Sequence, residues 1–578
     1  MRLASVAVFS FFVVFASFFA SFYSFEGAAR AAISEAEIAR ERVMPSFALL
    51  DQDGRSREVA RTDAEAVVVA VVCGAPAPCA PVDALAGVRG KLASKAVAFW
   101  MVSSRLAESR ASLGASARAL GADGAFPLLH DEAQVVARAL GATRQGEVFA
   151  LDRRRRRVFF HGSLAQPAAL ERALDSFLHQ RGRAPSTGAG DGALLALAPA
   201  GAAPVSYARD VAPLMRRKCV PCHRAGDVAP FAFDGHHAVE GWGSTIQEVL
   251  LARRMPPWSA DPHAGAAFSN DTSLSADEAD RLWRFIEQGA PRGDGADPLA
   301  VPAPPAPPWA RGTPDYVVEL PAVEHIPATG VIPCQNRVST FTMPKDAWLS
   351  AAIAQPDNRA VVHHLTIRAQ YPAGYKPQGD DSYLSGWAPG MELGAFPPGT
   401  GKFVPKGTAF RFEVHYTPNG KPQDDRTRLG LYVVKGPPPR RLETRFAWDE
   451  DLLVPAGEPD LRTHAFYGFE HAVTLFDLIP HMHDRGSWVK YEAFYPDGRR
   501  ETLLSVPRYD FAWQRVYRLA QPKRLPAGTW VLITAGYDNS ALNPTNPNPK
   551  LPARGGEQTW DETFAPELDV VQEQEQTP

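Results

Sequence analysis

The stretch RKCVPCHRAG, Arg217–Gly226, decides how this chain divides. It contains C-x-x-C-H, a spacing that lets two thiols add to the vinyl groups of a haem while the next residue reaches the iron from the same turn. Cysteine is scarce, with five residues in 578 (Cys73, Cys79, Cys219, Cys222 and Cys334). A chance match to the motif is therefore on the order of one in a thousand. Cys219 and Cys222 are read as the points of covalent haem c attachment and His223 as the iron ligand. Two other readings of the motif compete. Zinc would need a second ligand pair, which His236 and His237 could supply. A thioredoxin-type thiol pair would need a strand directly before it, whereas VAPLMRRK (Val211–Lys218) reads as helix. The expected sixth haem ligand is Met255 in RMPPW, because a thioether opposite imidazole raises the haem potential; His263 is the next candidate.

Working outward, the two sides of this stretch differ. On the N-terminal side, AVVVAVV (Ala66–Val72) reads as a buried strand, PVDALAGVRGKL (Pro81–Leu92) as a helix and KAVAFWMVSS (Lys95–Ser104) as a second strand. Strand and helix continue to alternate through EVFALD (Glu147–Asp152), the pattern of an α/β domain. Beyond Pro314 the chain is rich in Val, Phe, Tyr and Thr with frequent turn residues, which predicts all-β, jelly-roll-like sandwich architecture. Between them, 206–295 reads as short helices ending in SADEADRLWRFIEQGA, with Ser275 placed to cap the last one. A Gly/Ala/Pro-rich linker is expected over 186–205 and a proline-rich one over 296–315.

At 578 residues several domains are required. The hydrophobic share of 45%, the charged share of 22% and the net charge of −3 give no reason to expect nucleic acid as a partner. The N-terminus runs apolar from Leu3 to Phe25, followed by the small residues of GAARAA. Residues 1–32 read as a secretory signal peptide, or alternatively as an uncleaved membrane anchor. Both place the remainder in the periplasm or elsewhere outside the cytoplasm.

Three histidine features mark the β-rich half: AVVHHLTI (His363, His364), FRFEVHYTPNG (His415) and LIPHMHDRG (His481, His483). In a regular strand i and i+2 share a face, so His481 and His483 can share a metal while Met482 points away. Adjacent His363 and His364 can do so only where the strand ends or bulges. Imidazole-rich sites outside the cytoplasm suit copper or zinc.

Two segments resemble known families here. Ser206–Phe231 with RMPPW and Leu274–Gly293 is similar to small bacterial cytochrome c domains, which implies an all-α haem domain over 206–295. HHLTI, VHYTPNG, PHMHDRG, YDNSALNP and GEQTWDE resemble the copper type II, ascorbate-dependent monooxygenases, over about residues 316–578. That resemblance implies two sandwich subdomains, 316–440 and 441–578, each holding one copper across a solvent-filled cleft. His363, His364 and His415 would bind the electron-supplying copper, and His481 and His483 the oxygen-activating one with a methionine. Thr563 stands where that methionine is expected, and no methionine follows Met482.

SFALLDQDGRSREV, AVVVAVV, Cys79-Ala-Pro and FPLLHDEAQVVARALGA resemble a thioredoxin-like fold of the peroxiredoxin type, over 43–185. Cys79 falls at that family's first active-site cysteine, and Cys73 and Cys79 are candidate redox thiols, a disulfide or a metal pair. No C-x-x-C partner follows Cys79, and RQGEVF has Gly146 where the fold keeps a cis-proline, so this domain reads as one used for docking or packing. Cys334 has no assigned role.

The expected function is an exported monooxygenase-like oxidoreductase. Its haem would pass electrons from an external donor to two coppers that activate O2 for C–H hydroxylation of an unidentified organic or peptide substrate. The alternative, motivated by Thr563, is a non-catalytic copper-binding or electron-transfer protein.

Overall fold

The computed structural model describes residues 43–72, 82–92, 96–106, 108–122, 126–180, 186–188, 192–197, 204–225, 227–301, 309, 311–377, 382–391, 395–436 and 440–573. The N-terminal apolar run, Cys73 and Cys79 lie outside the described residues. Among the described residues no helix is long and apolar enough to cross a membrane.

The first region is α/β. Its strands are β1 (Ala48–Asp51), β2 (Ser56–Glu58), β3 (Ala66–Val72), β4 (Val97–Ser103), β5 (Leu128–His130), β6 (Glu147–Asp152) and β7 (Arg157–Ser163). They form one sheet in the order β2-β1-β5-β4-β3-β6-β7. β3, β4 and β5 run parallel through helical crossovers, and β6 and β7 return antiparallel beside β3. This parallel βαβ unit followed by an antiparallel hairpin is thioredoxin-like. Every residue of β3 is buried, as an apolar run flanked by strands on both sides and covered on both faces must be. Gly146 sits at φ +80, a left-handed backbone that proline, locked near −65°, cannot adopt.

The stretch expected to be a linker is partly docked on this region. Thr187 N donates to the His161 carbonyl, Gln145 N to that of Ala193, and Leu195 N to that of Thr143. Leu195 and Leu197 pack on the core. Composition suggested flexibility, but those two leucines bury apolar surface and their backbone finds partners.

Next comes a helical segment. A π-turn (Tyr207–Val211) leads into α1 (Ala212–Lys218), followed by α2 (His236–Gly241), α3 (Gly243–Leu251) and α4 (Ala276–Glu287). Ser275 caps α4 in a full capping box with Glu278. Its core (Tyr207, Val211, Met215, Leu251, Phe285) is continuous with one face of the thioredoxin-like sheet, through Val67, Val69 and Val136.

The rest is mostly β. One unit has β8 (Tyr316–Glu319), β9 (Glu324–Ile326), β10 (Gln335–Val338), β11 (Ala347–Gln355), β12 (Val362–Gln370), β13 (Tyr383–Trp387), β14 (Thr400–Val404), β15 (Ala409–Tyr416), β16 (Gln423–Asp425), β17 (Arg428–Val433) and β18 (Arg440–Arg441). Its two main sheets, β10-β15-β12-β13 and β18-β14-β11-β17-β8, enclose Leu349, Ile367, Phe410, Phe412 and Leu431. The second has β19 (Glu443–Phe446), β20 (Leu453–Val454), β21 (Leu461–Phe469), β22 (Val473–Ile479), β23 (Gly486–Phe494), β24 (Arg500–Val506), β25 (Tyr517–Leu525), β26 (Thr529–Tyr537), β27 (Ala553–Arg554) and β28 (Glu567–Gln572). Its sheets β19-β28-β22-β25 and β21-β26-β23-β24 enclose Leu475, Tyr491, Ile533 and Leu568. Buried Lys402 of the first unit ties the two together by donating to Thr444 Oγ1 at 2.8 Å.

Candidate functional site

The C-x-x-C-H residues form a single turn after α1. The amides of Cys222 and His223 both donate to the Cys219 carbonyl, at 3.2 and 2.9 Å. Cys219 and Cys222 carry free thiols. Burial pushes the Cys219 thiol up to about 12 and raises that of Cys222. His223 Nδ1 lies 3.3 Å from the Phe231 carbonyl and its ring packs against Phe231 and Phe233. Burial lowers its proton affinity, so the imidazole is neutral, with Nδ1–H turned to a carbonyl and the Nε2 lone pair left for a metal. A groove of about 900 Å³ runs past Val220 and Phe233 between the helical segment and the first sandwich, edged by Arg224, Arg359 and Arg428. Two thiols and an imidazole presented by one turn are the donor set that a covalent haem would use, but neither thiol nor His223 lines this groove, which also carries Asp227, Asp234 and Asp357.

Met255 lines a different cavity, with Leu250, Leu251, Ala276, Ala279 and the 130–135 stretch of the thioredoxin-like region. His223 is not among the residues lining it. His263 lies farther along the chain beside Glu132.

In the first sandwich, His364 on β12 pairs with His415 on β15, and the register shifts between Val362 and His364. This irregularity at His363 is the distortion that two adjacent histidines need to serve one place. His363 Nδ1 and His364 Nδ1 are 2.9 Å apart, and the rings of His364 and His415 stack at 4.2 Å.

In the second sandwich, His481 and His483 lie in the connection from β22 to β23, not in a regular strand as expected. Pro480 lacks the amide a ladder needs, and the chain turns at Asp484. The two rings are nonetheless neighbours, perpendicular with centroids 5.5 Å apart, and Met482 points into the core. Gln514 Oε1 accepts from His481 Nδ1 at 2.8 Å, leaving Nε2 with its lone pair. His483 Nδ1 is buried without a hydrogen-bond partner, a costly state that an ion would relieve. The connection is held by buried Glu562, which accepts from the amides of His483 (3.1 Å) and Arg485 (2.7 Å).

The two sets meet at Phe511, whose ring lies 5.1 Å from His363 and 5.3 Å from both His364 and His483. His364 and His481 pack edge to face at 6.3 Å. An open cleft between the two sets, which the family resemblance implied, is therefore absent at these rings. Burial lowers the proton affinity of all five imidazoles, His415 and His481 to about 4. For His364 and His483, neighbouring imidazoles add to the effect. Five neutral imidazoles, His364, His415 and His483 buried and His363 and His481 half-buried, suit a cation of the copper or zinc class. They are gathered but not converged: among the described residues, the one set with three ligand atoms mutually within 4.8 Å is His130, Glu132 and His263.

Thr563 follows Glu562 and precedes Ala565, whose amide donates to the His481 carbonyl at 3.2 Å. Its own carbonyl accepts from Tyr537 Oη. It thus lies on the segment that runs beside both histidines. The Cys334 amide donates to Gln558 Oε1, joining the first sandwich to the GEQTWDE loop.

Sequence reasoning missed Gln514 and Phe511, which FAWQRV does not advertise. Gln514→Leu should weaken copper binding about 10–100-fold with circular dichroism unchanged, as loss of an outer-shell partner does; copper titration of metal-free protein measures it.

The C-x-x-C-H turn is joined to the sandwiches. Asp227 pairs with Arg359 at 3.3 Å, four residues before His363. Arg359 and Arg515, the latter next to Gln514, both act on the Cys222 thiol.

No family model matches the chain, and no curated protein matches it. Several solved structures resemble part of it, thioredoxin-like and peroxiredoxin-type ones on the N-terminal side among them. A hypothetical protein of Sinorhizobium meliloti 1021 has 28% identity over 26% of this chain and 91% of that one, with a TM-score of 0.22. The peroxidoxin BcpB of Mycobacterium tuberculosis has 18% identity over 23% and 92%, at 0.19. The thioredoxin domain of a thiol-disulfide oxidoreductase of Bacteroides vulgatus has 13% identity over 20% and 82%, at 0.18. The thioredoxin-like fold rests on strand order.

Proposed function

We propose that the chain is an exported, haem- and copper-containing oxidoreductase of the monooxygenase type. The helical segment serves as a cytochrome c domain and passes single electrons from an external donor to copper held by the sandwiches. The observation that carries this reading is the gathering of five neutral imidazoles, His363, His364 and His483 against Phe511 with His415 and His481 against His364, in sandwiches that Arg359 ties to Asp227 after the C-x-x-C-H turn.

Bound copper would supply one-electron redox chemistry and activation of O2, for the balance C–H + O2 + 2e⁻ + 2H⁺ → C–OH + H2O. The protein's part is to hold and exclude. His363, His364 and His415 would bind the relay ion, and His481 and His483 the catalytic one. Gln514 fixes the tautomer of His481, Glu562 anchors the loop carrying both, and Phe511 keeps water from the space between the sets. Cys219 and Cys222 would tether the haem, keeping a donor at high local concentration. The substrate is an organic or peptide C–H compound.

Oxygen uptake by haem- and copper-loaded protein under reductant tests this. Uptake that falls at least 100-fold in His481→Ala is expected; a protein that binds no copper, or binds it without consuming O2, would end the proposal.

Thr563 favours a second reading, a copper-binding electron-transfer protein that does not oxygenate, because a hydroxyl is a poorer ligand for Cu(I) than a thioether. Stable Cu(I)/Cu(II) cycling without oxygen uptake would support it. A gain in uptake on Thr563→Met would show a site that has drifted from hydroxylation.

A further inference from the structure

We propose that His130, Glu132 and His263 form a site for one divalent first-row transition ion, of the zinc class, which fastens the thioredoxin-like region to the second sandwich. His130 ends β5 and Glu132 lies two residues on. His263 comes from a strap after α3 that runs along the edge of the second sandwich. In that strap the amides of Asp261, Ala266 and Ser269 donate to the carbonyls of Ser505, Leu503 and Arg518. The three ligands thus join parts of the chain that no continuous core connects.

The geometry is close to what an ion requires. Glu132 Oε2 lies 2.9 Å from His263 Nε2 and 3.6 Å from His130 Nδ1, and all three ligand atoms lie within 4.8 Å of one another. Tetrahedral ligands at about 2.0–2.2 Å from zinc stand roughly 3.4 Å apart, so only small side-chain adjustments are needed. His130 is also prepared: its Nε2–H faces the Arg105 carbonyl at 3.2 Å, which leaves the Nδ1 lone pair toward Glu132. A backbone carbonyl behind a ligating imidazole is the usual outer-shell arrangement. Asp261, two residues before His263, is gripped by Arg110 through both carboxylate oxygens at 2.9 Å and accepts from the His263 amide. The strap is therefore already positioned, and the ion pays little ordering entropy.

Without an ion, His263 and Glu132 are a half-exposed pair of little worth. Arg253 lines the same cavity as His130 and Glu132 and is the cation an incoming ion must compete with. Two imidazoles and one carboxylate suit zinc, and the fourth position falls to water. The site shares no residue with the histidines at Phe511, so it stands or falls independently of the proposed function.

The test is zinc content by mass spectrometry of the full chain after dialysis against zinc. The His130→Ala/His263→Ala variant should lose one equivalent relative to wild type, with copper and haem content unchanged. Zinc should also slow chymotryptic cleavage after Trp258 and Phe268, on either side of His263, in wild type and not in the variant. Equal zinc content in the two proteins would overturn the site, and equal protection would overturn its role as a clamp. Should the double variant not fold, His263→Ala alone, altering a side chain on the strap's surface, gives the same two readouts.

Discussion

Glu562→Ala is expected to cost about 3–5 kcal/mol and to abolish copper binding at His481 and His483 while sparing His363, His364 and His415. Glu562 is fully buried and accepts from the amides of His483 and Arg485. Arg485, itself buried, stands 3.7 Å away. Burial raises the carboxyl's proton affinity, and Arg485 with the two amides opposes that rise. Alanine would leave two amides without acceptors and take a polar group from beside the buried Arg485 guanidinium, which keeps Asn539 and the Trp560 carbonyl as partners. The loop that aims both imidazoles would lose its anchor. Glu562→Gln, which keeps one acceptor oxygen, should cost less than half as much. Calorimetry of the variants and copper titration separate the two effects: a single lost copper with a transition lower by on the order of 10 °C is the expected pattern.

Replacing Cys219 and Cys222 together by serine should remove covalently attached haem completely. A serine hydroxyl cannot form the thioether, and a single turn presents both thiols and His223. Haem staining of the denatured chain would fall from full to background, with copper content unchanged. Oxygen uptake driven by a donor that reduces only haem should vanish, while uptake driven by a reductant acting directly on copper should persist. Uptake that survives with the haem-specific donor would detach the helical segment from the chemistry.

Local patterns in the sequence carried much of this structure. AVVVAVV reads as a buried strand because seven apolar residues in a row need cover on both faces, and all seven are buried. Ser275 and Glu278 announce a helix start, and the capping box is there. The adjacent pair His363–His364 states its own condition, a bulge, and the register shift supplies it. What was not legible depends on contacts between distant residues. H-x-H looks like a strand until Pro480 and the Glu562 anchor turn it into a loop. Gln514 reaches His481 across 33 positions, and Phe511 joins two sandwiches. His130 and His263 carry no spacing signal, because their meeting depends on how a strap lies across another domain. The 186–205 stretch looked like a linker because composition does not report two leucines finding a core.

Haem at Cys219 and Cys222 is expected to deliver electrons to copper held by the five histidines. The most direct measurement is anaerobic addition of Cu(II) to protein whose haem has been reduced, following haem absorbance and the Cu(II) paramagnetic signal together. Haem should be oxidised in step with loss of the Cu(II) signal, and His364→Ala/His481→Ala should abolish both changes. Haem that stays reduced beside an undiminished Cu(II) signal, or a double variant that behaves as wild type, would contradict it.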